Sequence, residues 1–265
     1  MNQYFDTHCH LDFDCFDGDR AGLLSRCKAL GIQRFLIPAT RFSVMEKLET
    51  LVSCHQGVYI AAGIHPFFVD KTSLSDLSLL SEYLKTSNLI GSKLIALGEM
   101  GLDKFCSNDF GLQKEVFSRQ LEMASRLSLP VIIHNRKCDQ AVLDLLDYFN
   151  VNKGVVHGFS GSYEIANEFR KRGFYIGLGG VISWENANKV RQMVTRLGLT
   201  QVVIETDAPD MSPEWLKGKR NTPETVIKVV ALLAELLQLP VTTVADTVYR
   251  NSCNLFGLDG LGQDV

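Results

Sequence analysis

Histidines are few in this chain and unevenly placed. Of its six histidines, five stand at or near the ends of short apolar runs: His8, His10, His65, His134 and His157. Two carboxylates, Glu99 and Asp207, close similar runs. Imidazole nitrogens and carboxylate oxygens are typical ligands of zinc, manganese and related divalent ions. The pattern therefore predicts a divalent metal site, whereas His55 lies in a helical stretch and is interpreted as structural.

The spacing within this set indicates how the ligands are presented. His8 and His10 are two positions apart, so a strand would place both rings on one face, together with Asp6 and Asp12. A lone histidine at the end of a strand is more often a hydrogen-bonded residue than a ligand, so the prediction rests on the whole set. Several imidazoles and two carboxylates exceed what one tetrahedral ion can use. We therefore expect two ions that share Glu99 as a bridge, with water in the open positions.

The elements that would position these ligands can be read from the apolar pattern. Eight short β-rich runs alternate with longer stretches of helical periodicity, which indicates βα units around a parallel sheet. The runs cover residues 4–8, 34–39, 58–65, 94–99, 130–134, 154–159, 174–180 and 201–207. Most of them are apolar throughout, as is typical of strands buried on both faces.

The fold predicted from this alternation is an α/β, TIM-type (β/α)8 barrel. It would form a single domain over residues 1–265, with an extra C-terminal helix at 241–256. A doubly wound open sheet is the alternative. In a barrel the carboxyl ends of all strands meet on one face, where barrel enzymes place their chemistry, and the histidines and carboxylates would therefore converge there.

Composition excludes several classes of protein. With 46% hydrophobic residues, 22% charged residues and a net charge of −3, the chain fits a globular protein and neither a disordered nor a collagen-like one. No apolar run approaches the roughly 18 residues of a membrane-spanning helix, and no secretory signal is visible. We therefore expect a cytoplasmic protein without a membrane or obligate protein partner. Seven cysteines without a CxxC pair predict neither a disulfide framework nor a cysteine zinc site.

A series of motifs resembles a known family. In order along the chain, these are DTHCHLD (6–12), GIHP (63–66), ALGEMGLD (96–103), LPVIIHNR (129–136), VVHGFSGS (155–162), YIGLGG (175–180), ETDAPDM (205–211) and RNTPE (220–224). Together they resemble the TatD family of metal-dependent deoxyribonucleases, in the amidohydrolase superfamily. The resemblance covers nearly the whole chain.

The resemblance implies a TIM-type barrel that hydrolyses phosphodiester bonds in DNA with two divalent ions, which could be zinc, magnesium or manganese. It implies that one ion is held by His8, His10, Glu99 and Asp207, and the other by Glu99, His134 and His157. Metal-activated water would attack the phosphorus atom in line. Asp207 is the candidate to orient that water and accept its proton, and with Glu99 it forms the predicted catalytic pair.

Five further residues are candidates for contact with the substrate: His65, Arg136, Phe159, Ser160 and Arg220. Arg136 offers a planar fork suited to phosphate oxygens. The turn at 159–162 could bind an anion through backbone N–H groups and offer Phe159 for base stacking. Arg220 belongs to a short basic run, 217–221. Each has an ordinary alternative, namely a surface salt bridge, a plain turn or a solvated cation.

The function predicted is a deoxyribonuclease acting as an exonuclease on single-stranded DNA or frayed ends. The acidic net charge argues against a protein that holds duplex DNA by charge alone and favours a few local contacts. The alternative is a metal-dependent hydrolase of a small non-nucleic substrate, such as a lactone, an amide or a small phosphoester, on the same barrel. A binding protein with structural metals is disfavoured, because structural zinc sites are usually closed and rich in cysteine.

Overall fold

The computed structural model describes residues 2–258. Within this range eight strands form one parallel sheet, in the order in which they occur along the chain. The strands are β1 Tyr4–Asp6, β2 Ile32–Pro38, β3 Val58–Ala62, β4 Leu94–Asp103, β5 Val131–Arg136, β6 Gly154–Val156, β7 Phe174–Leu178 and β8 Val202–Ile204. All eight overlap the predicted runs, and β2, β4 and β5 extend beyond theirs.

A helix follows each strand, and one more ends the described part of the chain. The helices are α1 Arg20–Ala29, α2 Met45–Cys54, α3 Ser73–Thr86, α4 Phe110–Leu127, α5 Asp139–Tyr148, α6 Tyr163–Lys171, α7 Asn188–Leu197, α8 Thr225–Leu237 and α9 Val241–Phe256. This is the connectivity of the TIM-type (β/α)8 fold with an extra C-terminal helix. Both predictions are confirmed, and the doubly wound alternative is not adopted.

Local sequence explains where these elements begin, end and pack. Asp109 caps α4 by accepting a hydrogen bond from the backbone N–H of Leu112 at 2.7 Å, and Ser128 ends the helix in the left-handed region. In α7, the residues Val190, Met193, Val194 and Leu197 are buried, and their spacing of three to four positions is that of one apolar helix face.

The chain divides into two compact units. The first contains residues 2–37, 158–171 and 175–258 of the described range, and the second contains residues 38–157 and 172–174. The first unit therefore carries β1, β8 and the C-terminal helices, and the second carries β3 to β6. The single domain expected over residues 1–265 stays a prediction, and residues 1 and 259–265 lie outside the described residues.

Two strand boundaries differ from the sequence-based expectation in ways that affect the site. The strand that carries Glu99 does not end there but continues to Asp103. Strand β8 ends at Ile204, three residues before Asp207, so Asp207 lies in the loop beyond it. Within residues 2–258 no single helix is long and apolar enough to span a membrane; α8 and α9 pass that test only together, across a bend of 115°.

Candidate metal centres

The first unit holds one group of potential ligands, contributed by the β1 end and the loop after β8. His8 Nε2 and His10 Nε2 lie 3.3 Å apart. Asp207 Oδ1 lies 3.4 Å from His8 Nε2 and 3.5 Å from His10 Nε2. Three donor atoms thus form a nearly equilateral triangle, and we call these residues the first-unit group.

A buried carboxylate ties the two segments of this group together. Asp6 accepts hydrogen bonds from the backbone N–H and the hydroxyl of Thr206, at 2.9 and 2.6 Å. Asp207 in turn donates its backbone N–H to the carbonyl of His8 at 2.8 Å. Burial raises the pKa of Asp6 to about 7, although its hydrogen bonds with Thr206 and His8 act in the opposite direction. These bonds fix the position of Asp207 relative to the histidines.

A buried asparagine holds the other side of the Asp207 loop. Asn221 Nδ2 donates to the carbonyls of Thr206 and Asp210 at 2.9 and 3.0 Å, and its Oδ1 accepts from the hydroxyl of Thr225 at 3.0 Å. Asp207 itself has a φ of 56°, a left-handed conformation that is uncommon outside glycine and that often occurs at functional sites. The Asn221 side chain therefore stabilises the loop in the conformation that presents the carboxylate.

The second unit holds a second group, which comprises Glu99, His134 and His157. Glu99 Oε1 lies 3.0 Å from His134 Nδ1 and 2.7 Å from His157 Nε2. The two ring nitrogens are 3.3 Å apart. We call these residues the second-unit group; the sequence predicted all three as ligands of one ion.

The tautomer of His134 is suited to metal binding. Its Nε2 lies 3.0 Å from Asp103 Oδ2, so the ring donates Nε2–H to this carboxylate and directs the Nδ1 lone pair towards the group. Burial raises the pKa of the Asp103 carboxyl, but hydrogen bonds from His134 and the Phe105 amide outweigh burial and lower it. Burial likewise opposes the charged form of His134, whose bonds with Asp103 and Glu99 nevertheless raise its pKa.

His65 lies beside the second-unit group with a different hydrogen-bond pattern. Its Nε2 is 3.2 Å from Glu99 Oε1 and 3.1 Å from His134 Nδ1, close enough for a ligand. However, its Nδ1 accepts the backbone N–H of Phe67 at 3.0 Å, and burial lowers its pKa. A neutral ring that accepts at Nδ1 carries its proton on Nε2, so this geometry favours His65 as a hydrogen-bond donor.

Close backbone packing puts Glu99 in place. The pairing of β4 with β5 shifts register between Leu97 and Met100, and Glu99 donates its backbone N–H to the carbonyl of Ala39 at 3.0 Å. The preceding Gly98 has a φ of 140°, and a Cβ there would lie 2.7 Å from the Ile132 carbonyl oxygen. Only glycine fits this position without strain.

The donor sets of both groups fit a divalent ion. Ligand atoms at about 2.0–2.1 Å from a tetrahedral ion lie roughly 3.3–3.4 Å from one another. The distances between donor atoms in the first-unit group, 3.3 to 3.5 Å, match this spacing. In the second-unit group the two histidine nitrogens are 3.3 Å apart, and the two distances from Glu99 Oε1 are shorter, at 2.7 and 3.0 Å. Nitrogen and oxygen donors without sulfur suit zinc, manganese and similar ions. A bridge by Glu99 between two ions stays a prediction.

The predicted substrate residues occupy different environments. Arg136 is exposed, and its guanidinium lies 4.7 Å from the Phe105 ring centroid. Ser160 is exposed too. The Phe159 ring, in contrast, is only 4% exposed and contacts Phe169, so its position is that of a core side chain and does not support the expected base stacking.

Arg220 has intramolecular partners. It forms an ion pair with Asp19, donates to the carbonyl of Cys15, and places its guanidinium 4.7 Å from the Phe16 ring centroid. These contacts connect the basic run to the segment after β1. Contact of Arg220 with a substrate stays a prediction.

Sequence reasoning assigned no role to three residues that shape the site: Asp103, Asn221 and Glu205. Asp103 stands four positions after Glu99 in the same strand, but the predicted strand ended at Glu99, so the sequence offered no signal for it. Glu205 is buried and accepts the backbone N–H of Gly158, while a Cβ on Gly177 would lie 2.4 Å from its Oε2. The buried carboxylate thus packs against glycine and holds the start of the 159–162 turn.

Comparison with known proteins agrees with this architecture. A sequence model described as TatD related DNase matches residues 5–257. YjjV of Escherichia coli K12, named an uncharacterized metal-dependent hydrolase, is 36% identical over 258 residues, which cover 97% of this chain and 98% of YjjV. YabD of Bacillus subtilis 168, with the same description, is 31% identical and matches over 96% of this chain and 99% of its own.

Solved structures show the same relationship. The crystal structure of the TatD homologue YjjV from Escherichia coli K12 superimposes with a TM-score of 0.91 at 36% identity, over 96% of this chain and 98% of that chain. The sequence model, the relatives and the structure all cover the elements that carry both candidate groups. The chain therefore belongs to the TatD family of metal-dependent hydrolases.

Proposed function

We propose that the protein is a deoxyribonuclease that removes nucleotides from single-stranded DNA or frayed ends. The observation that carries the proposal is the pair of His/carboxylate groups, each of which brings three donor atoms to within 3.5 Å of one another. Three protein ligands with a further position for water or substrate are typical of catalytic rather than structural sites. The name of the matching family model, TatD related DNase, supports DNA as the substrate.

Each group is proposed to hold one ion, with zinc, magnesium or manganese as candidates. His8, His10 and Asp207 would hold an ion in the first unit, and Glu99, His134 and His157 would hold one in the second. When bound, such ions lower the pKa of a water molecule to about 7 and stabilise negative charge on phosphoryl oxygens. The orientation of His134 by Asp103 at 3.0 Å increases the basicity of its ligating nitrogen.

In the first unit Asp207 is proposed to orient the attacking water and accept its proton. The backbone next to Asp207 is held by the hydrogen bonds of Thr206 with Asp6 and Asn221, so the loop that carries the carboxylate is in place before substrate arrives. This role suits a residue whose oxygen lies 3.4 to 3.5 Å from two imidazole nitrogens and within reach of water placed there.

In the second unit His65 and Arg136 are proposed to bind the phosphate of the substrate. His65 carries its proton on Nε2, 3.2 Å from Glu99 Oε1, and a phosphate oxygen of the substrate is proposed to accept this proton in place of Glu99. Arg136, two residues after His134, presents an exposed guanidinium. A net charge of −3 favours such local contacts over a broad basic surface. A cytoplasmic location completes the proposal.

The test is hydrolysis of single-stranded DNA labelled at either the 3′ or the 5′ end. Metal-stripped protein receives magnesium, manganese or zinc separately, and products are resolved by length. We expect metal-dependent ladders, whose label shows which end is attacked. Asp207→Asn and His134→Ala should abolish them.

The matched control is His55→Ala, which changes a histidine outside both groups and should retain activity. Protein that binds metal in both groups but cleaves no DNA would refute the proposal. The small-substrate alternative would then be examined with lactones and aryl phosphate esters.

A further inference from the structure

An exposed aromatic ring stands directly beyond the second-unit group. Phe105 is 64% exposed, although it follows the fully buried strand β4 by only two residues. Its backbone N–H donates to Asp103 Oδ1 at 2.7 Å, and Asp103 Oδ2 contacts His134. One carboxylate thus links the backbone of Phe105 to the histidine of the candidate metal group.

The Phe105 backbone rests on a rigid support. Gln113 of α4 accepts the backbone N–H of Asp103 at 3.0 Å and donates to its carbonyl at 3.2 Å. Gln113 also donates to Asn108 Oδ1 at 2.6 Å. The strand end that carries the ring is therefore held by side-chain bonds, and a ligand that stacks on the ring would incur little ordering cost there.

Three exposed cations stand at the ends of β4 and β5, the paired strands beside Phe105: Lys104, Arg136 and Lys137. The Arg136 guanidinium lies 4.7 Å from the Phe105 centroid, and the backbone N–H of Lys104 donates to the Arg136 carbonyl at 3.2 Å. Lys137 follows Arg136 directly. Within residues 2–258, the three side chains form no ion pair with an acidic group, so their charges are available to an anion.

We propose that Phe105, with Lys104, Arg136 and Lys137, forms a binding site for the nucleotide that flanks the scissile phosphodiester of single-stranded DNA. The ring stacks on the base, and the cations contact the adjacent phosphates. Arg136 lies over one face of the ring, so the base stacks on the other face. An exposed ring beside cations that have no ion-pair partner is the combination that binds single strands without sequence preference. In a duplex the base faces are already stacked, so the site selects unpaired or frayed ends. The inference rests on the proposed function and names its substrate contact.

The matched control is another exposed aromatic residue of the same unit. Tyr148 is 81% exposed, and it ends α5, whose first residue is three positions after Arg136. Its described ring contact is with Phe149. Replacing Tyr148 removes a comparable ring and leaves the Phe105 site intact.

Binding is measured with metal-loaded, full-length protein and a fluorescent oligothymidylate with a phosphorothioate backbone that resists cleavage. A second strand of equal length has abasic sugars in place of thymidine. We expect Phe105→Ala to weaken binding of oligothymidylate about tenfold, the effect of losing one base–aromatic stack, and to leave binding of the abasic strand unchanged. Phe105→Tyr should bind as the parent does, and so should Tyr148→Ala.

The cations are tested with the double variant Lys104→Ala/Lys137→Ala. It should weaken binding of both strands. The slope of the logarithm of the binding constant against the logarithm of the salt concentration should become shallower by about 0.7 for each phosphate that is no longer neutralised. Equal binding of oligothymidylate by the parent and Phe105→Ala would overturn the stacking site, even if the enzyme cleaves DNA. Base-dependent binding that disappears in Phe105→Ala would support the site even if no cleavage occurs, and only the proposed function would then fail.

Discussion

Removing the Asp103 carboxylate should weaken metal binding by the second-unit group without removing a ligand. Asp103 Oδ2 lies 3.0 Å from His134 Nε2, while Nδ1 of the same ring faces Glu99 and His157. In Asp103→Ala the ring loses its acceptor. It is then free to rotate or to exchange tautomers, and the ligating lone pair is no longer fixed.

The expected magnitude follows from the nature of this bond. A hydrogen bond to a charged group contributes about 1.5–3 kcal/mol, and about 1.4 kcal/mol corresponds to a factor of ten in affinity. Loss of the bond should therefore weaken one ion by about 10–100-fold, which is also the range for partners that orient metal-binding histidines. In Asp103→Asn the amide oxygen can still accept from Nε2–H, so this variant should lose less than Asp103→Ala.

The assay is calorimetric titration of zinc into metal-stripped protein, which resolves the two expected sites. In Asp103→Ala only one site should weaken, and the other should retain its parental affinity. Asp144→Ala removes an exposed carboxylate of α5 and serves as the control, with affinities equal to those of the parent at both sites. Thermal unfolding of the metal-free variants shows whether any loss reflects misfolding.

Parental affinity at both sites in a folded Asp103→Ala protein would refute this reasoning. The hydrogen bond would then have no part in holding His134 as a ligand. Equal weakening at both sites would also contradict this reasoning, because the hydrogen bond of Asp103 is with His134, a residue of the second-unit group.

Three further predictions concern the two groups and the residues that support them. Asn221→Ala leaves the buried carbonyl of Thr206 and the part-buried carbonyl of Asp210 without their donor. It should lower the free energy of unfolding by about 1–3 kcal/mol, measured by urea denaturation. Gly98→Ala places a Cβ 2.7 Å from the Ile132 carbonyl oxygen at a φ of 140° and should prevent normal folding or abolish metal binding. The control, Gly18→Ala, adds its Cβ in open space and should change the free energy of unfolding by less than about 0.5 kcal/mol. Equal stabilities of the two variants would contradict the strain argument. Metal at a thousandfold excess over the dissociation constant should stabilise the protein by about 4 kcal/mol, measured as a higher melting temperature that a chelator reverses. His134→Ala should lose part of this stabilisation. An unchanged melting temperature with metal would count against both groups.

The fold was predictable because its signals repeat along the chain. Each strand is a short apolar run, and each helix has apolar residues at helical spacing, as in the buried face of α7. Strand ends were less predictable. The register shift between Leu97 and Met100 leaves no mark in hydrophobicity, so β4 was expected to end at Glu99 although it continues to Asp103.

The ligands were more predictable than the residues that orient them. His8, His10, His134 and His157 could be found because their type and position both indicate metal binding. Asp103 is chemically indistinguishable in sequence from a surface aspartate, and its role depends on a pairing between β4 and β5 that brings it to His134. Phe159 followed a plausible motif, but its burial depends on packing that the motif does not encode.

The most direct test of metal-dependent cleavage is a titration that follows metal content and DNA hydrolysis in the same samples. Metal-stripped protein is loaded stepwise, bound metal is counted by elemental analysis, and cleavage of end-labelled single-stranded DNA is measured at each step. We predict that cleavage rises as the two groups fill and that Asp207→Asn and His134→Ala remain inactive at every step. Full occupancy of both groups without cleavage, or undiminished cleavage by the two variants, would contradict the proposed role of the two groups.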